Sequence, residues 1–347
     1  MIFRPAAPAD SPEMTRLIES HHSKGGMELL YARRPGAYES YITENPETEA
    51  TLCADEGGRI LAQVVCMPRK LYIGGEAQMV RYVTGLHKAA GARVDMMKLF
   101  DAAYERAGGG AAENRFFCSI LDDNKAAYDL FAKRGMISPI CDYTTYFVNP
   151  SAIKRPRHGF SFRRAGPKDA VNLLSFYNKA GSGYSYFPVF SSMDDFPGLS
   201  AADFFLLEDG EKIIGACALW DQRAWKQYIA IGYKGAYKIA ARCNPLLGFL
   251  RYPPLPKKGA AANFAYIAFF LCRGGGPSAA QALLGEIGAA GSYDFLTIGA
   301  ARGGMTAEIL DGKRSIRIGS KLCLIDYERK GAEAGGNGPL LFECGLL

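Results

Sequence analysis

Hydrophobic positions in the first 150 residues follow two spacings. Runs at 51–54 and 59–68 read as strands on either side of Asp55-Glu56-Gly57-Gly58, which has hairpin-turn composition. Gly74-Gly75 supplies a second such turn, leading into a strand at 79–86. Met96, Phe100, Ala103 and Ala107 then recur at helical spacing, predicting a core-facing helix over 93–107 that the glycines at 108–110 stop. A buried strand at 115–120, a helix through Lys133 ended by Gly135, and a strand at 143–148 complete this half. Further on, an apolar strand at 264–271 leads through three glycines into a helical face of Leu283, Leu284 and Ile287, then to a strand at 293–298. Runs at 314–318 and 321–326 around Gly319-Ser320 read as a closing hairpin. Residues 244–258 are too proline-rich for a helix and too apolar for a solvated linker, so they read as a loop packed on the body or lining a cleft.

The chain also starts twice. Phe3-Arg4-Pro5-Ala6-Ala7-Pro8-Ala9-Asp10 returns as Phe162-Arg163-Arg164-Ala165-Gly166-Pro167-Lys168-Asp169. Each copy reads as a short strand, a turn, and an Asp placed to cap a helix whose apolar positions are Met14, Leu17 and Ile18 or Val171, Leu174, Phe176 and Tyr177. The division expected from this repeat is a first domain over 1–150, a basic linker over 151–160, a second domain over 161–330, and a glycine-rich tail with an apolar end over 331–347. A length of 347 residues suits two domains.

Charge and composition narrow the picture less. The net charge of +6 is mild, and the cluster Lys154, Arg155, Arg157, Arg163 and Arg164 reads as a solvated junction or a contact for an anion. Nine cysteines without a C-x-x-C pair and four scattered histidines give no metal-site spacing, so no metal is expected. Free thiols in this number suit a reducing compartment. With no signal-like h-region and no run long enough to cross a bilayer, the expectation is a cytoplasmic protein without a membrane partner. The apolar end, Leu340-Leu341-Phe342-Glu343-Cys344-Gly345-Leu346-Leu347, should dock on its own body or form a homodimer contact. Rossmann, P-loop and serine-hydrolase motifs are absent.

The order of elements, together with Asn124-Lys125-Ala126-Ala127-Tyr128-Asp129-Leu130-Phe131-Ala132-Lys133-Arg134-Gly135-Met136, resembles the GCN5-related N-acetyltransferase family, whose late helix carries Asn, Ala, an aromatic, a basic residue, then Gly. The resemblance implies an α+β fold of two tandem domains, each with a mixed, mostly antiparallel central sheet flanked by helices. It implies that Asn124 bonds the acetyl-coenzyme A arm and that Tyr128 protonates the departing thiolate. An ordinary helix cap and a packed aromatic are the structural alternatives. The family's phosphate loop, Gln/Arg-x-x-Gly-x-Gly/Ala, is poorly matched in the first half, where Asp95 sets a carboxylate beside the phosphate position. In the second half Arg273-Gly274-Gly275-Gly276-Pro277-Ser278 is similar to it, which implies coenzyme contacts from Arg273, Gly274, Gly275, Gly276 and Ser278. No Asn or Tyr follows in the second half at the late-helix position.

What the resemblance implies is an acyl-coenzyme A dependent N-acyltransferase, using acetyl-CoA and an amine of a small molecule or peptide by direct attack. Glu76, Asp122, Asp123 and His87 stand as candidate bases. Two other readings stay open: a noncatalytic module on an eroded acetyltransferase fold, and an aminoacyl-tRNA dependent transferase. The mild charge and absence of a nucleic-acid motif do not argue for the latter. The acceptor is not legible.

Overall fold

A computed structural model describes residues 1–23, 25–109, 115–328 and 338–347. The first half runs β1 (Ile2–Pro5), α1 (Ser11–Glu19), β2 (Met27–Arg33), α2 (Ala37–Glu44), β3 (Glu49–Ala54), β4 (Ile60–Ile73), β5 (Glu76–Lys88), α3 (Met96–Arg106), β6 (Arg115–Leu121), α4 (Lys125–Ala132) and β7 (Ile137–Val148). The second runs β8 (Ser161–Arg164), α5 (Ala170–Gly181), β9 (Phe204–Asp209), β10 (Lys212–Trp220), β11 (Lys226–Tyr233), α6 (Gly235–Arg242), α7 (Asn244–Phe249), β12 (Phe264–Cys272), α8 (Gly276–Gly288), β13 (Phe295–Ala301), α9 (Met305–Asp311) and β14 (Ser315–Ile325).

Twelve strands form one sheet in the order β1-β3-β4-β5-β6-β14-β7-β13-β12-β10-β9-β8, where the sequence had suggested a sheet for each half. All neighbours are antiparallel except β5 with β6 and β12 with β13. The halves cross at the centre. β14 pairs with β6 and β7, and β7 pairs with β14 and β13, so each half lends its last strand to the other. The hairpin expected around Gly319-Ser320 is therefore one continuous strand, because both its edges find partners. Separately, β2 and β11 form a two-stranded ribbon that ties the halves together a second time.

One face of the sheet carries α3, α4, α8 and α9 over two apolar clusters. The other carries α1, α5 and the chain's end over a third, the largest. Seven of the nine cysteines are buried, Cys141 is half-buried and Cys243 is exposed.

The octamer repeat is a structural repeat, though its Asp works differently than expected. Asp10 accepts from Arg4 at 2.6 Å and reaches back to the Ala7 N–H at 2.8 Å; Asp169 accepts from Arg163 at 2.8 and 2.9 Å and from the Gly166 N–H at 2.7 Å. Neither caps the following α-helix, because each closes a one-turn 3₁₀ segment before it. In the second copy Leu173, Phe176 and Tyr177 face the core, whereas Val171 is exposed. The junction is not a solvated linker throughout. Arg155 and His158 bond Glu286 of α8, because residues 153–156 run against Gly285 and Gly288, and Arg163 of β8 pairs with Glu208 of the adjacent β9. Residues 244–258 do contain a helix, α7, with Pro245 in its first turn, where a missing N–H costs nothing.

Candidate active site

The sheet opens twice. β5 and β6 pair from Val80 opposite Arg115 to Val83 opposite Cys118 and then diverge; β12 and β13 pair from Phe264 opposite Phe295 to Tyr266 opposite Thr297 and then diverge. Just past each split one residue turns left-handed, Gly85 (φ 59°) and Phe269 (φ 53°), at a register shift against the outer neighbour, β4 or β10. Glycine adopts this conformation freely. Phenylalanine adopts it at a cost on the order of 1 kcal/mol. Its ring is held among Phe190, Phe196 and Trp220, and its N–H leaves the ladder to donate to Glu343.

That contact fills the second cleft. The chain's end runs in parallel beside Ser185, stacks Phe342 on Tyr186 at 4.5 Å, and accepts at the Phe342 carbonyl from Tyr143 Oη at 3.2 Å. The Glu343 carboxylate accepts from Phe269 and, at 2.8 Å, from the Gly345 N–H. The Gly345 carbonyl accepts from Gln222 Nε2 at 2.9 Å and from Lys226 Nζ at 3.2 Å. Burial pushes the Glu343 carboxyl up to about 7, against its N–H donors and Lys226. The space left between β12, β13 and residues 341–344 is about 10 Å³, barely one water. The apolar end thus docks on its own body. Residues 331–337, expected to be flexible by composition, lie outside the described residues.

The chain's end does not reach the first cleft. Residues 84–87 are half-exposed, and behind them lies a polar floor. A Cβ on Gly85 would sit 2.6 Å from Tyr41 Oη, and the Tyr41 ring lies 3.8 Å under the Arg33 guanidinium. Arg33 pairs with Glu44 at 3.0 Å, and Glu44 also holds Arg69 at 3.1 Å and Lys226 at 3.0 Å. All four side chains are more than nine-tenths buried. Burial raises the Glu44 carboxyl, but the three cations outweigh it and hold it at about 2; burial draws the Lys226 ammonium down to about 8 against Glu44. His87, at the cleft's rim, is drawn down to about 4 by burial and by nearby His21, whose ring is 5.0 Å away, so its imidazole is neutral at pH 7.

The residues singled out in the sequence fall into two groups that the fold keeps apart. Asn124 caps α4, accepting from the Ala127 N–H at 3.2 Å, and Tyr128 is half-buried one turn on against the cluster of Phe100 and Phe116. Both follow β6, which lines the first cleft. Gly274, Gly275 and Gly276, all left-handed, lead into α8 in the second half, with Gly276 its first residue, and no side chain caps that helix. A Cβ at Gly274 or Gly276 would meet nothing within 4 Å, so the cradle has room for an anion. Arg273 bonds the Lys179 carbonyl at 2.6 Å, and Ser278 Oγ donates to the Gly275 carbonyl at 2.5 Å. At α3 the anion position is taken: Asp95 accepts from the Met97 and Lys98 N–H groups at 3.0 and 3.4 Å, which is also why this helix starts at Met96 rather than 93. Glu76 begins β5 eight residues before Thr84, roughly 26 Å away along an extended strand, too far to serve the first cleft directly. Asp122 and Asp123 are exposed beyond β6.

No family model and no curated protein matches the chain. Solved structures do. A probable N-acyltransferase from Enterococcus faecalis V583 aligns at TM-score 0.53 and 10% identity over 94% of this chain and 72% of its own. A GCN5-related N-acetyltransferase from Anabaena variabilis ATCC 29413 aligns at 0.54 and 10% identity over 93% and 72%. The chain has the GCN5-related N-acetyltransferase fold. N-myristoyltransferase from Saccharomyces cerevisiae, solved with bound myristoyl-CoA, matches this acetyltransferase fold at 0.57 and 10% identity, over 93% of this chain and 82% of its own.

Sequence reading missed Glu343, Phe269, Arg33, Glu44, Arg69 and Lys226. Glu343 had a visible signal, a lone carboxylate within an apolar run. The other charged residues come from β2, α2, β4 and β11 and show no common spacing.

Proposed function

We propose that the protein is an acyl-coenzyme A dependent N-acyltransferase and that transfer takes place in the first cleft. The observation that carries this is the asymmetry at the two left-handed residues. The N–H of Phe269 is taken by Glu343, whereas residues 84–87 are half-exposed and not covered by the chain's end. The thioester lies between the splayed strands with its carbonyl oxygen toward the backbone at Gly85. A neutral amine attacks the carbonyl carbon, the C–S bond breaks, and Tyr128 gives its phenolic proton to the departing thiolate. Holding both reactants in near-attack geometry supplies much of the rate. Neutral His87 takes the proton the amine loses. The resemblance to acyltransferases that use coenzyme A thioesters, one of them solved with myristoyl-CoA, supports the donor class.

Tyr128→Phe tests the assignment. Coenzyme A release in the presence of an amine acceptor should fall roughly 100-fold or more with acyl-CoA binding unchanged. Unchanged turnover removes Tyr128 from the chemistry.

The open glycine cradle at α8 favours a second reading, with coenzyme in the second half, which requires residues 341–347 to leave the cleft. Calorimetric titration with acetyl-CoA distinguishes the two. Tightening in a chain lacking 341–347, lost again with Arg273→Glu, assigns the second cleft. Binding indifferent to Arg273→Glu but tightened by Asp95→Lys assigns the first. No binding in any form would sink both and favour a noncatalytic module.

A further inference from the structure

The segment from Lys234 to Lys258 is distinctive in charge and exposure. It holds six Lys and Arg and no Asp or Glu, as many positive charges as the whole chain carries in excess. Its helices α6 and α7 bury no residue. Among the described residues, five of the ten exposed large hydrophobic side chains lie here: Ile239, Leu246, Phe249, Leu250 and Tyr252. Phe249, at 83%, is the most exposed of the ten.

This is an ordered presentation. Asn244 bonds the backbone of Leu255 in both directions at 2.8 Å, Tyr233 Oη donates to the Pro256 carbonyl at 2.5 Å, and Asn149 Nδ2 donates to the Tyr252 carbonyl at 2.9 Å. Leu255 is buried beneath. The body therefore grips the segment through its backbone and a few anchors, while Ile239 of α6 and Leu246 and Phe249 of α7 stand exposed. Lys238, Arg242, Arg251, Lys257 and Lys258 are exposed around them. Among the described residues, Lys234 alone of the six forms an ion pair, with Glu28 at 2.5 Å.

We propose that this face docks on an anionic lipid surface, with Leu246 and Phe249 entering the headgroup and acyl boundary and the basic side chains meeting lipid phosphates. Apolar residues ringed by Lys and Arg, with Glu28 at one edge as the acidic partner of Lys234, fit the two terms that hold a protein in that interface: burial of apolar area and attraction to negative headgroups. No helix among the described residues is long and apolar enough to cross a membrane, so the contact is peripheral. The proposal does not rest on the acyltransferase reading.

Co-sedimentation of the full chain with vesicles tests it, comparing phosphatidylcholine alone with an equal mixture of phosphatidylcholine and phosphatidylglycerol. Binding is expected only to the mixed vesicles, weakened by salt. The double variant Leu246→Ser, Phe249→Ser keeps the charge and should weaken binding about tenfold or more. Lys238→Glu with Arg242→Glu should abolish it. All four positions are exposed, and a wild-type melting temperature in each variant excludes unfolding. Absence of binding to mixed vesicles overturns the proposal, as does binding that ignores the serine pair. Polyglutamate binding as tightly as the vesicles, with the same sensitivity to Leu246 and Phe249, would assign the face to an acidic protein and overturn it too.

Discussion

The two clefts share a plan and differ in what fills them. Both are splayed parallel pairs with a left-handed residue just past the split, but one is floored by tyrosines and buried charges and the other is packed by the chain's own end. The difference teaches that a motif and a usable site can part company. The better phosphate loop, Arg273 to Ser278, stands at the filled cleft, while the first cleft has its helix N-terminus occupied by Asp95. One residue links the two: Lys226 pairs with Glu44 behind the first cleft and donates to the Gly345 carbonyl in the second.

The largest effect should come from removing the carboxylate of the charged floor. Glu44→Ala leaves Arg33, Arg69 and Lys226 buried without their counter-charge, and urea unfolding should show a loss of about 3–5 kcal/mol. A loss under about 1 kcal/mol would mean that water reaches these groups and the floor is not dry. Next comes Phe342→Ala, which empties the second cleft at its aromatic anchor and should cost about 3 kcal/mol in the same measurement. If acetyl-CoA then binds where it did not before, the filled cleft is the coenzyme's.

The pH dependence of the tail sharpens the contrast. The folded-state carboxyl of Glu343 sits near 7, above its ordinary value of 4.5, so between those values the docked form holds a proton that the free form has released. Docking is favoured below about 4.5 and loses that advantage progressively as pH rises toward 7, after which it is level. Hydrogen exchange of residues 340–347 should therefore be slower relative to the intrinsic rate at pH 5.5 than at pH 8, and Glu343→Gln should remove the difference. The smallest effect belongs to Asp95→Ala, which frees two amides at α3 and should cost about 1 kcal/mol of stability. If it also tightens acyl-CoA binding, the first cleft gains a phosphate site that Asp95 had held shut.

Much of the fold was legible because local signals set it. The octamer at Phe3 and Phe162 marked both starts, glycine turns at Gly74-Gly75 marked the β4–β5 hairpin, and the stripe Phe100, Ala103 and Ala107 marked the buried face of α3. The exchange of β7 and β14 was not, since partner choice is a long-range property that strand sequence does not carry. For the site, Asn124 as a helix cap and the glycine run before α8 were readable from neighbours in the chain. The Glu44 cluster was not, because Lys226 lies far in sequence from Arg33, Glu44 and Arg69 and is brought beside Arg33 by the β2–β11 ribbon.

The exchanged strands also bear on how the chain is made. The edge of β6 that β14 covers is complete only after about 200 further residues have been joined. At about 5–20 residues per second that is roughly 10–40 s of exposure for a strand whose centre is Phe116-Phe117-Cys118. The nascent first half is thus a sticky object waiting for its last strand, and its main hazard is another nascent copy offering the same edge.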